Sequence, residues 1–142
     1  MSLVRVTRRY VQGLIEAAQA ENAIDAAERA LATIDAALAG DRDFRSLLFH
    51  PMIARSRKKD LLRKIVGDAA PPVVTSFTDF VIEKKREHIF TSVYAEFRQA
   101  ADTLRGVMRA RVTAAYEPAA GQQERLKSQL EQALGKKVIL DV

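Results

Sequence analysis

The most informative stretch of this sequence is residues 77–86, which read Phe77-Thr78-Asp79-Phe80-Val81-Ile82-Glu83-Lys84-Lys85-Arg86. With Val73 and Val74 just before it, the apolar residues of this stretch spread over roughly 200° of a helix, whereas a helix with one buried stripe needs only about 100°. Two interpretations are open. Either the helix is central in a bundle and buried on two sides, or part of its apolar face binds another protein.

Composition sets the class of protein. The chain has 142 residues, a formal net charge of +5, 48% hydrophobic and 29% charged residues, which is typical of one globular domain or a small domain with an appendage. It has no cysteine, and this excludes disulfides, thiolate metal sites and cysteine nucleophiles. Neither a signal-peptide core nor an apolar run of about 20 residues is present. We therefore expect a soluble protein that is not exported.

Helical spacing of apolar residues predicts six helices in the first three quarters of the chain. We expect them at residues 6–20, 23–39, 41–49, 56–67, 71–85 and 87–105. Asn22 and Ser56 are predicted N-caps, and Gly40 and Gly67 are predicted stops. Because the connections are short, the helices should form an antiparallel bundle.

The pattern changes after Gly106. Residues 107–116 alternate as a strand does, an amphipathic helix then runs to Gly135, and residues 136–142 read as a second strand. Two strands alone are marginal in water, so this part should lack strands or borrow a partner. The predicted fold class is mainly α, with a six-helix N-terminal bundle (1–105) and a small, incomplete β-α-β C-terminal part (106–142).

Catalytic chemistry is not expected. His50, His88 and the scattered carboxylates form no recognisable group, and the dispersed glycines form no phosphate-binding loop. A metal site normally needs three or more ligands, so the two histidines are better explained as turn or capping residues. We predict no catalytic residue, no cofactor and no metal.

Nucleic acid is the alternative partner, because basic residues cluster around the fourth predicted helix and at the end of the fifth. The cluster consists of Arg55, Arg57, Lys58, Lys59, Arg63 and Lys64, followed by Lys84, Lys85 and Arg86. Asp60, Glu83 and Glu87 interrupt it, and lysines near a helix C-terminus are favoured by the helix dipole. A small basic helical nucleic-acid-binding protein therefore stays as the second hypothesis.

The first predicted helix also has a broad apolar arc, which includes Tyr10, Leu14 and Ala17, and Gly13 on it would let another backbone come close. The same two interpretations are open for both helices. Either both are central in the bundle and buried on two sides, or together they form a groove for an amphipathic helix of a partner. Affinity in such a groove usually comes from a few central anchors. We expect Leu14, Phe77 and Phe80 to be these anchors.

Five short segments together resemble one family. They are Arg8-Arg9-Tyr10, Phe49-His50-Pro51, Glu83-Lys84-Lys85-Arg86, the strand from Val107 to Tyr116, and Gly135-Lys136-Lys137-Val138. In their order and spacing over the whole chain, they resemble the delta subunit of F-type ATP synthase, called the oligomycin-sensitivity-conferring protein in mitochondria. The resemblance implies a non-catalytic stator subunit that joins the catalytic head to the peripheral stalk and supports proton-driven ATP synthesis.

The resemblance also implies partners and a location. The N-terminal bundle would bind the N-terminal helix of an alpha subunit between its first and fifth helices, through Tyr10, Gly13, Leu14, Ala17, Phe77, Phe80, Val81 and Lys84. The C-terminal part would bind the b subunits of the peripheral stalk. One copy per complex would lie on the cytoplasmic face of a bacterial plasma membrane, and it would meet the membrane only through the complex.

Family members usually continue after the second strand into a glycine-containing hairpin and a final helix. This sequence stops at Val142. We therefore expect a fragment, a trimmed form or a naturally short form.

Overall fold

The computed structural model describes residues 2–111 and 120–141. Its described part is mainly α, which confirms the predicted class, and it contains seven α-helices, one 3-10 turn and a two-stranded parallel sheet. The elements are α1 (Leu3–Ala20), α2 (Ile24–Gly40), α3 (Arg42–Phe49), α4 (Arg55–Val66), α5 (Pro72–Glu83), the 3-10 turn (Glu87–Thr91), α6 (Val93–Arg105), β1 (Val107–Arg111), α7 (Ala120–Leu134) and β2 (Lys137–Asp141).

The chain divides into two compact units, Met1–Gln99 and Ala100–Val142, which we call the helical unit and the C-terminal unit. In the helical unit, α1 packs against α2, α5 and the 3-10 turn, while α2 also packs against α3, α4 and α5. The largest fully buried side chains of this unit are Leu31, Ile34, Leu48, Leu62, Val74, Val81, Ile82, Ile89, Phe90, Val93 and Phe97. The predicted boundary after residue 105 separates the part expected to bind the alpha subunit from the part expected to face the peripheral stalk. It stays a prediction.

Two predicted N-caps are wrong. Asn22 does not cap α2 but ends α1, with a φ of 53°, and the next amide, that of Ala23, donates to Ala18 O at 2.8 Å. This is a Schellman-type ending, in which asparagine tolerates the left-handed conformation. Ser56 lies inside α4, whose N-cap is Ala54 without a side-chain hydrogen bond.

The predicted sixth helix is interrupted. Residues 87–91 form a 3-10 turn, and α6 begins only at Val93. At the break, Ser92 Oγ lies 2.8 Å from Thr7 Oγ1 of α1 and also donates to Ile89 O at 3.3 Å. Serine competes with the helix ladder in this way, and a fully buried Thr7 supplies a partner that the local sequence cannot reveal.

The C-terminal unit contains the two strands. β1 pairs with β2 in parallel, from Val107 opposite Lys137 to Arg111 opposite Asp141. The rest of the first predicted strand, residues 112–116, lies outside the described residues. α7 packs on β2, yet none of its side chains is buried.

Candidate functional site

An apolar groove of about 650 Å³ lies between α1 and α5 of the helical unit. Its lining is almost entirely apolar and consists of Arg9, Tyr10, Gly13, Leu14, Ala17, Val73, Ser76, Phe77 and Phe80. Six of the eight predicted contact residues belong to this lining. The groove exists because both helices have apolar arcs wider than the core of the unit covers.

Tyr10 and Phe80 meet at one end of the groove. Their ring centroids are 5.7 Å apart and the rings are inclined by 62°, an edge-on contact between α1 and α5. Phe80 is nevertheless 48% exposed. Burying the rest of this ring under a partner would release apolar surface from water, at about 25 cal/mol for each Å².

Leu14 and Phe77 form the base of the groove. They are only 3% and 8% exposed, and the Phe77 ring packs edge-on against Phe90 of the 3-10 turn with centroids 6.4 Å apart. Both side chains are therefore held by the core before any partner arrives. Of the three predicted anchors, Phe80 is the one that keeps a large free surface.

Gly13 and Ala17 form the α1 wall of the groove, one helical turn apart, and both are exposed. A β-carbon added at Gly13 would meet no other atom within 4 Å. The groove is therefore open at this point, and the small residues would allow the backbone of a docked helix to come close.

Two predicted contact residues do not line the groove. Val81 is completely buried in the core of the helical unit. Lys84 lies just beyond the end of α5, with its Nζ 5.6 Å from the centroid of the Phe80 ring. The ammonium group thus lies over the exposed aromatic side chain, a favourable cation–π arrangement.

These positions answer the question raised by the wide apolar arc of α5. Val74, Val81 and Ile82 are buried in the core, so part of the arc is wide because α5 packs on several neighbours. Val73, Phe77 and Phe80 line the groove. One part of the arc is therefore buried in the core, and another part lines the groove.

Comparison with known proteins then identifies the family. The family model for the ATP synthase delta (OSCP) subunit matches residues 6–142. The chain belongs to this family. It is 35% identical over 133 residues to the ATP synthase subunit delta of Desulforamulus reducens, covering 94% of this chain and 74% of the relative. It is 37% identical over 136 residues to that of Heliobacterium modesticaldum, covering 95% and 73%.

The fold is also found in a solved structure. A chain from a cryo-EM structure of the Toxoplasma gondii mitochondrial ATP synthase hexamer matches with a TM-score of 0.74 and 20% identity, covering 95% of this chain and 77% of that chain. At this identity the likeness concerns the fold. Family membership itself means that the protein is a non-catalytic stator subunit of ATP synthase, as the resemblance of the sequence implied.

In this delta-family chain, four of the six basic residues of α4 face acidic partners. Lys58 Nζ lies 2.8 Å from Glu87 Oε1, and Arg63 Nη2 lies 2.6 Å from Asp79 Oδ2. Glu83 pairs with Lys59 and, at 3.5 Å, with Arg55. These four residues of the basic cluster therefore fix α4 against α5 and the 3-10 turn, and neither these pairs nor the family supports the nucleic-acid alternative.

The pKa values of two of these carboxyl groups are lowered. The hydrogen bond and the charge of Lys59 hold the pKa of Glu83 below its ordinary value. Burial alone would raise the pKa of Glu87, but the hydrogen bonds from Lys58 and the backbone, together with the Lys58 charge, outweigh burial and lower this pKa. Both shifts follow from pairing with lysines of α4, so they indicate structural ion pairs instead of acid–base chemistry.

The two histidines take part in local packing. His88 stacks on Phe49 with ring centroids 4.8 Å apart, and His50 Nδ1 accepts a hydrogen bond from the Met52 amide at 3.0 Å. Among the described residues, no three histidine, aspartate or glutamate side chains converge as metal ligands would. None of the described helices has the length and apolar character needed to cross a bilayer.

Sequence reasoning missed three residues of the groove lining: Arg9, Val73 and Ser76. A signal for two of them was present, because Val73, Ser76, Phe77 and Phe80 follow the i, i+3, i+4, i+7 spacing of one helix face. Arg9 precedes Tyr10 directly, and only the packing of α1 on α5 shows that it lies beside the apolar lining.

Proposed function

We propose that the groove between α1 and α5 binds the N-terminal helix of an ATP synthase alpha subunit and so fastens the stator to the catalytic head. The observation that supports this most is the half-exposed Phe80 ring beside an open, almost wholly apolar groove. An amphipathic helix laid into such a groove buries its apolar face.

The chemistry of the groove suits a stator, which needs a durable contact rather than a reaction. Leu14 and Phe77 are already fixed by the core, so little conformational entropy is lost when a partner covers them. Phe80 supplies the new buried area, and Gly13 gives room for a close approach. A tight, slowly dissociating contact would resist the torque of the rotor.

We propose a separate role for each of the two predicted domains. Residues 1–105 act as a six-helix bundle for the head, and the β-α-β part, residues 106–142, faces the b subunits of the peripheral stalk. α7 has no buried side chain. Its apolar residues Leu126 and Leu130 are half-buried, and a stalk helix would cover the part of their surface that is still exposed. One copy per complex lies on the cytoplasmic face of the bacterial plasma membrane and meets the membrane only through the complex.

The groove assignment is tested by titrating the full chain with a peptide from the N-terminus of the cognate alpha subunit. We expect saturable binding, and we expect Phe80→Asp to reduce affinity by about 100-fold, as for an aromatic anchor residue. Met52→Asp is the matched control, because Met52 is 83% exposed and belongs to the loop before α4. A loss of equal size in both variants, or no saturable binding by the unmodified chain, would rule out the groove.

The stalk assignment needs a separate experiment. The full chain is mixed with a soluble segment of the cognate b subunits, and complex formation is followed by sedimentation velocity. Leu126→Asp with Leu130→Asp should abolish this complex but leave the alpha peptide bound. If the doubly substituted chain still bound the b segment, α7 would not be the stalk contact.

A further inference from the structure

Two cations lie at the Tyr10–Phe80 end of the groove. Arg9 lines the groove next to Tyr10, and the Lys84 ammonium lies over the Phe80 ring. Neither forms an ion pair with any acid of the described residues. Both side chains are exposed.

The acids next to Lys84 and Phe80 in sequence are already engaged elsewhere. Glu83, next to Lys84, pairs with Lys59 and Arg55, and Asp79, next to Phe80, pairs with Arg63. On the α1 side, Glu96 accepts from Arg8 at 3.1 Å. This end of the groove is therefore positively charged, with no described acid left to neutralise it.

The geometry points to a carboxylate on the docked helix, an Asp or Glu close to the apolar residue that covers Phe80. This carboxylate pairs with Arg9 and Lys84. This inference rests on the proposed function and adds the chemistry that sets direction and register. A smooth apolar groove attracts a helix without fixing how far it slides or which end enters first. A charged pair at one end of the groove fixes both, since like charges there are costly.

Charge reversal tests the inference. The double variant Arg9→Glu, Lys84→Glu is compared with a control double variant, Arg42→Glu, Arg57→Glu. Both change the net charge of the protein equally. Arg42 and Arg57 are exposed and lie in the first turns of α3 and α4, where glutamate is favoured by the helix dipole. Far-UV circular dichroism of both variants checks that the helices remain.

We expect Arg9→Glu with Lys84→Glu to weaken binding of the alpha-subunit peptide by about tenfold at low salt, mainly through a lower association rate, and the control to remain within about twofold. The difference should shrink as salt rises from about 50 mM to about 500 mM, because exposed pairs are screened. Equal weakening in both variants, or none in either, would overturn the inference while Phe80→Asp still tested the groove.

A peptide scan identifies the partner carboxylate. Each Asp or Glu of the peptide is replaced in turn by Asn or Gln, and every peptide is titrated against the unmodified chain and against Arg9→Glu with Lys84→Glu. One replacement should remove most of the tenfold difference between the two proteins. If no single replacement does so, the cations do not recognise a particular carboxylate. A peptide that fails to bind the unmodified chain at all would overturn the groove and this inference together.

Discussion

Lys58 Nζ of α4 lies 2.8 Å from Glu87 Oε1 of the 3-10 turn, and the two side chains are only 5% and 14% exposed. This pair joins two elements that are far apart in sequence at the edge of the core. The second oxygen, Glu87 Oε2, is also buried and has no hydrogen-bond partner among the described residues. The stability of the helical unit should therefore depend on the charge of this carboxylate.

Glu87→Gln should lower the free energy of unfolding by about 1–2 kcal/mol at neutral pH, because Lys58 then remains charged and largely buried without a counter-ion. Urea unfolding measures the loss. Glu21→Gln, at an exposed position beyond the end of α1, is the control and should change stability by less than about 0.5 kcal/mol. A similar loss in both variants would mean that the Lys58–Glu87 pair contributes nothing specific.

The free energy of unfolding should fall as the pH is lowered. The pKa values of Glu83 and Glu87 are lower in the folded chain than their ordinary values, so both pairs stabilise the fold fully above the unfolded pKa of about 4.3. This contribution is lost as pH falls through the folded values. Urea unfolding at a series of pH values should show a steeper acid decline in the unmodified chain than in Glu87→Gln. Parallel declines would contradict the shift at Glu87.

Gly13→Ala should raise the stability of the helical unit but lower its affinity for the alpha-subunit peptide. Gly13 lies inside α1, and a β-carbon there meets nothing within 4 Å, so alanine should stabilise the helix by about 0.5–1 kcal/mol. The added methyl group narrows the groove, so affinity for the alpha-subunit peptide should fall. Thermal unfolding and peptide titration on the same sample measure both effects.

Gly67→Ala is the matched comparison for Gly13→Ala, because the substitution is the same but the backbone differs. Gly67 ends α4 with φ of 71° and ψ of −176°, a region almost restricted to glycine, and alanine there should cost about 1–3 kcal/mol. Peptide affinity of the folded fraction should not change. Stabilisation at Gly67 or destabilisation at Gly13 would contradict the described backbone.

Lys85→Gly should stabilise the helical unit. Lys85 follows α5 with a φ of 55°, and the Arg86 amide donates to Val81 O at 3.0 Å, which is the Schellman ending in which glycine is preferred. Relief of the left-handed conformation is worth about 1 kcal/mol. Lys85→Ala keeps the β-carbon and serves as the control in the same urea titration. Equal effects of the two substitutions would show that charge, and not backbone conformation, matters at this position.

Asp102→Asn should loosen the C-terminal unit. Asp102 is 7% exposed, and its Oδ2 accepts from Arg109 Nε of β1 at 2.6 Å. Loss of this charged hydrogen bond should cost about 1–3 kcal/mol and speed amide exchange in β1 and β2 relative to α2. Glu124→Gln on the exposed surface of α7 is the control. Unchanged exchange in β1 would show that the Asp102–Arg109 bond does not hold the strand.

The helices were predicted well where apolar spacing and end signals lie within the helix itself. The apolar period located the first five helices to within a few residues, and Gly67 ends α4 as expected. The break at Ser92 was missed because Ile89, Phe90, Val93 and Phe97 keep helical spacing across it. At the break, Ser92 contacts Thr7, which is 85 residues away in sequence.

The candidate site was also predicted only in part, because local sequence does not show how distant segments pack. The breadth of the apolar arcs on α1 and α5 is a property of each sequence segment, and it pointed to these two helices. The family resemblance then selected Tyr10, Gly13, Leu14, Ala17, Phe77 and Phe80 among their residues. Periodicity alone could not distinguish the buried Val81 from the half-exposed Phe80, because both lie on the same broad arc. Their difference depends on where α2 and α4 cover α5.

The sequence by itself determined the mainly α class, the family, and the two helices with more apolar surface than a simple bundle covers, because periodicity, capping and motif order are all carried by residues close together in the chain. Only the tertiary structure decided which surface stays open and which charges stay unpaired. The α4 cations find acids on α5 and the 3-10 turn, whereas Arg9 and Lys84 remain at the Tyr10–Phe80 end of the groove. Such outcomes depend on packing between distant segments.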